Sequence, residues 1–147
     1  MKGLMGGALA VALVVAVGCA SMDDRMAMNK KSLYSRLGGK PAIAAVVDDF
    51  IANVAADGRI SRRFESADIP RLKGLLVEQI CEASGGPCTY TGRAMAEAHR
   101  GMNIADAEFD ALVEDLVKSL DSFKVPAQEK SELLGALGGL KGQILGR

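Results

Sequence analysis

The chain has no tryptophan, two tyrosines, four phenylalanines and a single histidine among its 147 residues. So few aromatic side chains beside so much alanine, leucine and valine favour an all-α domain. Its 18 lysines and arginines balance its 18 aspartates and glutamates, so the formal net charge is zero. Nothing in that balance suggests nucleic acid or a strongly acidic partner. No internal repeat is present.

What is present begins with an apolar run. Lys2 makes a small positive start, Leu4 to Val17 carries no charge, and Ser21, Asp23, Asp24 and Arg25 follow abruptly. Residues 1–18 read as a secretory signal peptide, too short for a comfortable membrane span. Ala16-Val17-Gly18-Cys19 resembles a bacterial lipobox, which would leave Cys19 as a lipidated N-terminus after cleavage. Ala16 stands where leucine is usual, so cleavage without lipidation stays open, as does a buried apolar helix with an incidental cysteine. Ala20 after the cysteine resembles the outer-membrane sorting pattern of a Gram-negative cell. The expectation is an exported lipoprotein on the periplasmic side, held at a membrane surface by acyl chains at about 0.8 kcal/mol per buried methylene. Residues 19–30 lack apolar periodicity and read as a tether, which leaves 31–147 as one domain's worth of chain.

Five or six helices can be read in that domain. A short turn at Ser32 to Leu37 is stopped by Gly38-Gly39, and Pro41 suits the first turn of the next helix. There Ile43, Val46, Val47, Phe50, Ile51 and Val54 form an amphipathic stripe ending near Asp57-Gly58. After a loop with Ile60 and Phe64, Asp68 and Pro70 open a helix whose face is Leu72, Leu75, Leu76, Gln79, Ile80 and Ala83. Gln79 is the one polar member, a boundary residue reaching water or, less commonly, a donor turned toward a ligand. Gly85-Gly86-Pro87 breaks that helix. Phe109, Leu112, Val113, Leu116, Val117 and Leu120 make a further stripe. Pro126 opens a last helix carrying Leu133, Leu134, Leu137, Leu140 and Ile144. Four glycines weaken it by about 1 kcal/mol each where exposed, and its end is expected to fray.

His99 lies between those stripes. Thr91 can cap a helix start and Gly101 can stop it, which puts His99 on the last turn with Met95 one turn before it on the same face. A lone imidazole there is more often a buried histidine with a satisfied hydrogen bond than the ligand of a metal or a haem.

At this point the residues carry a resemblance. Leu37 to Ile43 (LGGKPAI), Val46 to Phe50 (VVDDF), Arg71-Leu72-Lys73, Gly85-Gly86-Pro87, Tyr90-Thr91-Gly92 and Glu97-Ala98-His99 resemble a group I (N-type) truncated haemoglobin over nearly all of 32–144. The resemblance implies a two-over-two helical sandwich around haem b, with His99 as the proximal iron ligand. Met95 would pack beneath the porphyrin, with Phe50 also against it and Phe64 wedged on the opposite face. Tyr90 and Arg93 would contact the propionates, although Arg93 could equally be solvated, and Lys73 is a weaker candidate.

The distal side departs from the family pattern. Ile51 stands where a tyrosine is typical and Leu76 where glutamine is frequent, with Leu72 at the gate. Ile51, Leu72, Leu76 and Ile80 would make an almost wholly apolar pocket, unless Gln79 turns inward. Losing a hydrogen bond to a strongly polar acceptor, about 1.5–3 kcal/mol, could raise the oxygen off-rate tenfold or more. The expectation is a globin that binds oxygen, nitric oxide or carbon monoxide for carriage, scavenging or sensing, with weak, oxidation-prone oxygen binding. The alternative is a haem-dependent redox enzyme such as a nitric oxide dioxygenase or peroxidase, which would normally need a distal polar group. Either implies an electron donor. Cys81 and Cys88 read first as independent thiols, with a bridge from helix end to following loop as the other reading.

Overall fold

The computed structural model describes residues 31–147; the expected signal peptide, Cys19 and the expected tether lie outside the described residues. The elements are α1 (Leu33–Arg36), α2 (Gly39–Ala56), a 3-10 turn (Ser61–Phe64), α3 (Ile69–Ala83), α4 (Met95–Ala98), α5 (Asp106–Ser122), α6 (Ala127–Gly138) and α7 (Lys141–Ile144). Four long helices make the body. α2 packs on α3 and α5, and α6 packs on α3 and α5 in turn, which is a two-over-two sandwich.

Local chemistry sets the boundaries. Gly38 and Gly39 both take positive φ, at 93° and 74°, so the chain reverses after α1 and α2 starts at once. The Asp68 side chain accepts from the Arg71 N–H at 3.1 Å and caps α3, with Pro70 in its first turn. α1 is held to α6 by Arg36, which pairs with Glu129 and Glu132.

The α2 stripe is buried at all six expected positions. Around it gather Val77, Ile80, Cys81, Ala111, Leu116, Leu120 and Leu133. α3 differs from its expected single stripe. Val77 and Cys81 turn into the core, while Leu72, Leu75 and Leu76 are only half-buried because they face a cavity. A helix placed between a core and a cavity is apolar on two sides. α5 also departs from expectation: Ser119 and Asp115 are buried beside its leucines. Asn53 of α2 donates to Ser119 Oγ at 2.8 Å and to Asp49 at 3.1 Å. Asp115 Oδ2 has no partner.

Three further expectations need correction. Cys81 and Cys88 are not independent thiols but a disulfide, with Cα atoms 5.7 Å apart. Gly85, at φ +79°, turns the chain back, and Gly86 passes where a Cβ would lie 2.5 Å from the Tyr34 ring and 2.7 Å from Cys81 Sγ. That close passage brings Cys88 over Cys81. Thr91 does not cap the histidine helix: its N–H and hydroxyl both donate to Glu78, at 3.0 and 2.7 Å, and α4 starts only at Met95. Nor does one helix run from Pro126 through Ile144: α6 ends at Gly138 and a separate turn, α7, follows. Ile104 and Leu145 form an isolated parallel bridge, and the Asn103 N–H donates to the Arg147 carbonyl at 2.6 Å.

Candidate functional site

The apolar faces of α3, α5 and α6 do not close on one another. They leave a cavity of about 480 Å³, inside the roughly 300–1,000 Å³ range of ligand pockets. One wall is Phe50 and Ile51 of α2 with Leu72, Leu75, Leu76, Gln79 and Ile80 of α3. Met95, Ala98, His99 and Met102 form the facing wall. Phe109, Leu112, Leu116, Leu137, Leu140 and Ile144 fill in behind, and Phe64 enters from the 3-10 turn.

His99 is the C-cap of α4, followed by Gly101 at φ +80°. Its Nδ1 lies 2.8 Å from the Met95 carbonyl oxygen, which accepts only if that nitrogen carries the proton. Nε2 is then the lone-pair nitrogen of a half-buried ring that lines the cavity. That is the arrangement a metal-binding imidazole needs, its second nitrogen oriented by a carbonyl.

The rim is cationic. Arg63, Arg71 and Arg93 all line the mouth with Tyr90. Arg63 is spent on the protein: it forks onto Glu108 at 2.7 and 2.9 Å and donates to the Met102 carbonyl at 2.9 Å. That fork holds the Glu108 carboxyl below its ordinary range, while Glu108 also accepts from the Ala105 N–H and caps α5. Arg71 and Arg93 stand exposed. The Tyr90 hydroxyl donates to the Arg93 carbonyl at 3.1 Å, and burial pushes its phenol upward, so it stays neutral.

Every residue singled out for the cofactor and the distal pocket lines this one cavity: Phe50, Ile51, Phe64, Leu72, Leu76, Gln79, Ile80, Tyr90, Arg93, Met95 and His99. Lys73 does not. It pairs with Asp48 of α2 at 2.8 Å instead, because its place on α3 points it across to that helix rather than to the rim. Gln79 is half-buried in the cavity lining, and its Nε2 donates to Met95 Sδ at 3.6 Å. Arg63 and Arg71 were missed, though Arg71 precedes Leu72 in one of the quoted motifs. Leu137, Leu140 and Ile144 read as ordinary core because a helix stripe does not say whether it faces a neighbour or a space.

A family model described as bacterial-like globin matches residues 32–145. The chain belongs to that family. This globin is 38% identical to the group 1 truncated hemoglobin of Mycolicibacterium paratuberculosis over 113 residues, 77% of this chain and 83% of the relative. Against that of a Nostoc species the identity is 31%, covering 79% and 98%. Among solved structures, the Fe(III) form of the Tetrahymena pyriformis truncated hemoglobin superposes with a TM-score of 0.77 at 31% identity, covering 80% of this chain and all of that one. The 2/2 hemoglobin of a Synechococcus species, described in the cyanomet state with covalently attached heme, gives 0.74 at 31%, with the same coverage. The globin is therefore an all-α, haem-binding member of the group 1 truncated type. Its residues fit that cofactor: an apolar slot of suitable size, an oriented imidazole on one wall and exposed arginines at the mouth.

Proposed function

We propose that this globin binds a diatomic gas reversibly, with His99 holding the haem iron from the proximal side, and that it holds oxygen weakly. Bound haem would supply the iron that takes the gas; the side chains of the cavity decide what surrounds it. The observation that carries the reading is the distal wall. Ile51, Leu72, Leu76 and Ile80 offer no hydrogen-bond donor, and the one amide on that wall is turned to Met95. A ligand that gains little from a donor, carbon monoxide or nitric oxide, is favoured over oxygen in such surroundings. Met95 and the Met102 segment would back the imidazole, Phe64 would close the slot from the loop, and Arg71, Arg93 and Tyr90 would hold the cofactor's carboxylates at the mouth. Peroxide reduction or nitric oxide dioxygenation would want a group that moves a proton on the distal side, and none of these side chains can do so.

Absorption spectra of the purified protein with and without dithionite and carbon monoxide test haem binding, and stopped-flow oxygen release tests the distal reading. A slow oxygen off-rate would refute it. His99→Ala is expected to lose the haem; normal retention would remove the central assignment. The export signal, the lipid on Cys19, the outer-membrane address and the electron donor that keeps the iron ferrous belong to the same proposal. The intact mass of the protein from the membrane fraction checks the first two, since a lipidated Cys19 leaves a mass that plain cleavage does not.

A further inference from the structure

α4 is a single turn of four residues with none fully buried, too short to stand as a helix without outside support. Its support comes from α3. Glu78 accepts from the Thr91 N–H and hydroxyl, Cys81 is bonded to Cys88, and Glu82 accepts from the Tyr90 N–H at 3.2 Å. Those three ties end at residues 88, 90 and 91. One tie from α3 reaches further, into α4 itself: Gln79 Nε2 on Met95 Sδ. Met95 is then engaged twice, since its carbonyl oxygen takes the His99 Nδ1 proton at 2.8 Å and the His99 N–H at 3.1 Å.

We propose that Gln79 is a positioning residue for the proximal ligand: by holding the Met95 side chain, its amide fixes the peptide whose carbonyl orients the His99 ring. An amide on a half-buried, leucine-lined wall requires a partner. The partner it has is Met95 of the facing wall, so the two walls touch where these side chains meet and the slot lies to one side of them. A thioether is a weak acceptor, so what this contact contributes is direction more than strength. The same helix that forms the distal wall thereby sets the angle of the imidazole opposite. This inference rests on His99 being the iron ligand, and the His99→Ala control separates failure of that reading from failure of this one.

The test uses haem-loaded protein with Gln79→Leu, Met95→Leu and the double variant. Leucine suits both positions, and far-ultraviolet circular dichroism checks that each variant keeps its helices. Gln79→Leu is expected to shift the iron–histidine stretching band of the ferrous form in resonance Raman spectra, and to speed haem transfer to a myoglobin apoprotein roughly two- to fivefold, as for loss of one neutral hydrogen bond. The carbon–oxygen stretch of the carbon monoxide form should stay in place. Met95→Leu should reproduce the shift, and the double variant should add nothing to either single one. In the haem-free protein, Gln79→Leu should move the Met95 methyl resonance. A moved carbon–oxygen stretch with an unmoved iron–histidine band would make Gln79 a distal donor and overturn the proposal. Additive single variants, or no change in the iron–histidine band, would overturn it equally.

Discussion

Position 51 holds a branched alkane where one phenol would change how long oxygen stays. Ile51 is buried but borders the cavity, so a larger ring has space to enter. Ile51→Tyr should slow oxygen release at least about tenfold, the effect of a hydrogen bond of roughly 1.5–3 kcal/mol, and stopped-flow release rates will show it. Carbon monoxide release should change much less. Asp115 is a second residue with a consequence of its own. Burial pushes its carboxyl above the ordinary range, Asp57 adds to that, and Lys118 and Arg59 oppose it. A carboxyl raised by folding costs nothing below its unfolded pKa, where it is protonated in both states. The cost grows as pH rises and is complete above the folded value. Asp115→Asn should therefore stabilise the protein by about 1 kcal/mol at pH 7, the scale of an unsatisfied buried group, and the gain should vanish near pH 3. Denaturant unfolding at the two pH values checks both parts.

The elements were unequally legible. α2 and the opening of α3 follow from stripe, cap and proline, because both are long and pack on neighbours that the pattern implies. The α4 region was less so: Thr91 looks like a cap in sequence, but a carboxylate thirteen residues earlier, Glu78, takes its hydroxyl. Long-range competition of that kind leaves no local trace. The disulfide was undecidable for a related reason, since only the fold-back at Gly85 and Gly86 brings the sulfurs together. As a tie between α3 and the loop, it closes a short ring. Loop-closure entropy for a separation of seven residues comes to about 2.5 kcal/mol at most. Replacing both cysteines by serine should lower the unfolding free energy of the haem-free protein by up to that amount, read from denaturant midpoints at unchanged slope. Cys81 is wholly buried and Cys88 half-buried. A thiolate leaving from Cys81 would meet apolar surroundings, so mild thiols should reduce this bond slowly.

For the whole molecule, the residues that the resemblance singles out line one cavity, because they recur at fixed spacings along α2, α3 and the segment that ends at His99. What the resemblance did not give was the back wall: α6 and α7 show stripes that suit a solid core equally. A cavity of this size, bordered by six of the seven helices among the described residues or the loops beside them, makes the fold and the cofactor mutually dependent. With free haem at roughly a thousand times its dissociation constant, linkage adds about 4 kcal/mol to the folded state. Haem removal should accordingly lower Tm by roughly 10 °C or more and broaden the transition, and calorimetry of both forms measures it.

The bridge from Leu145 to Ile104 ties the proximal segment to residues that leave the ribosome after every other part of the pocket. The lining runs from Phe50 to Ile144, so the slot cannot shut before the residues of its last wall have been made. At about 5–20 residues per second, seconds pass between the first wall and the last. During that interval the histidine helix has no clasp.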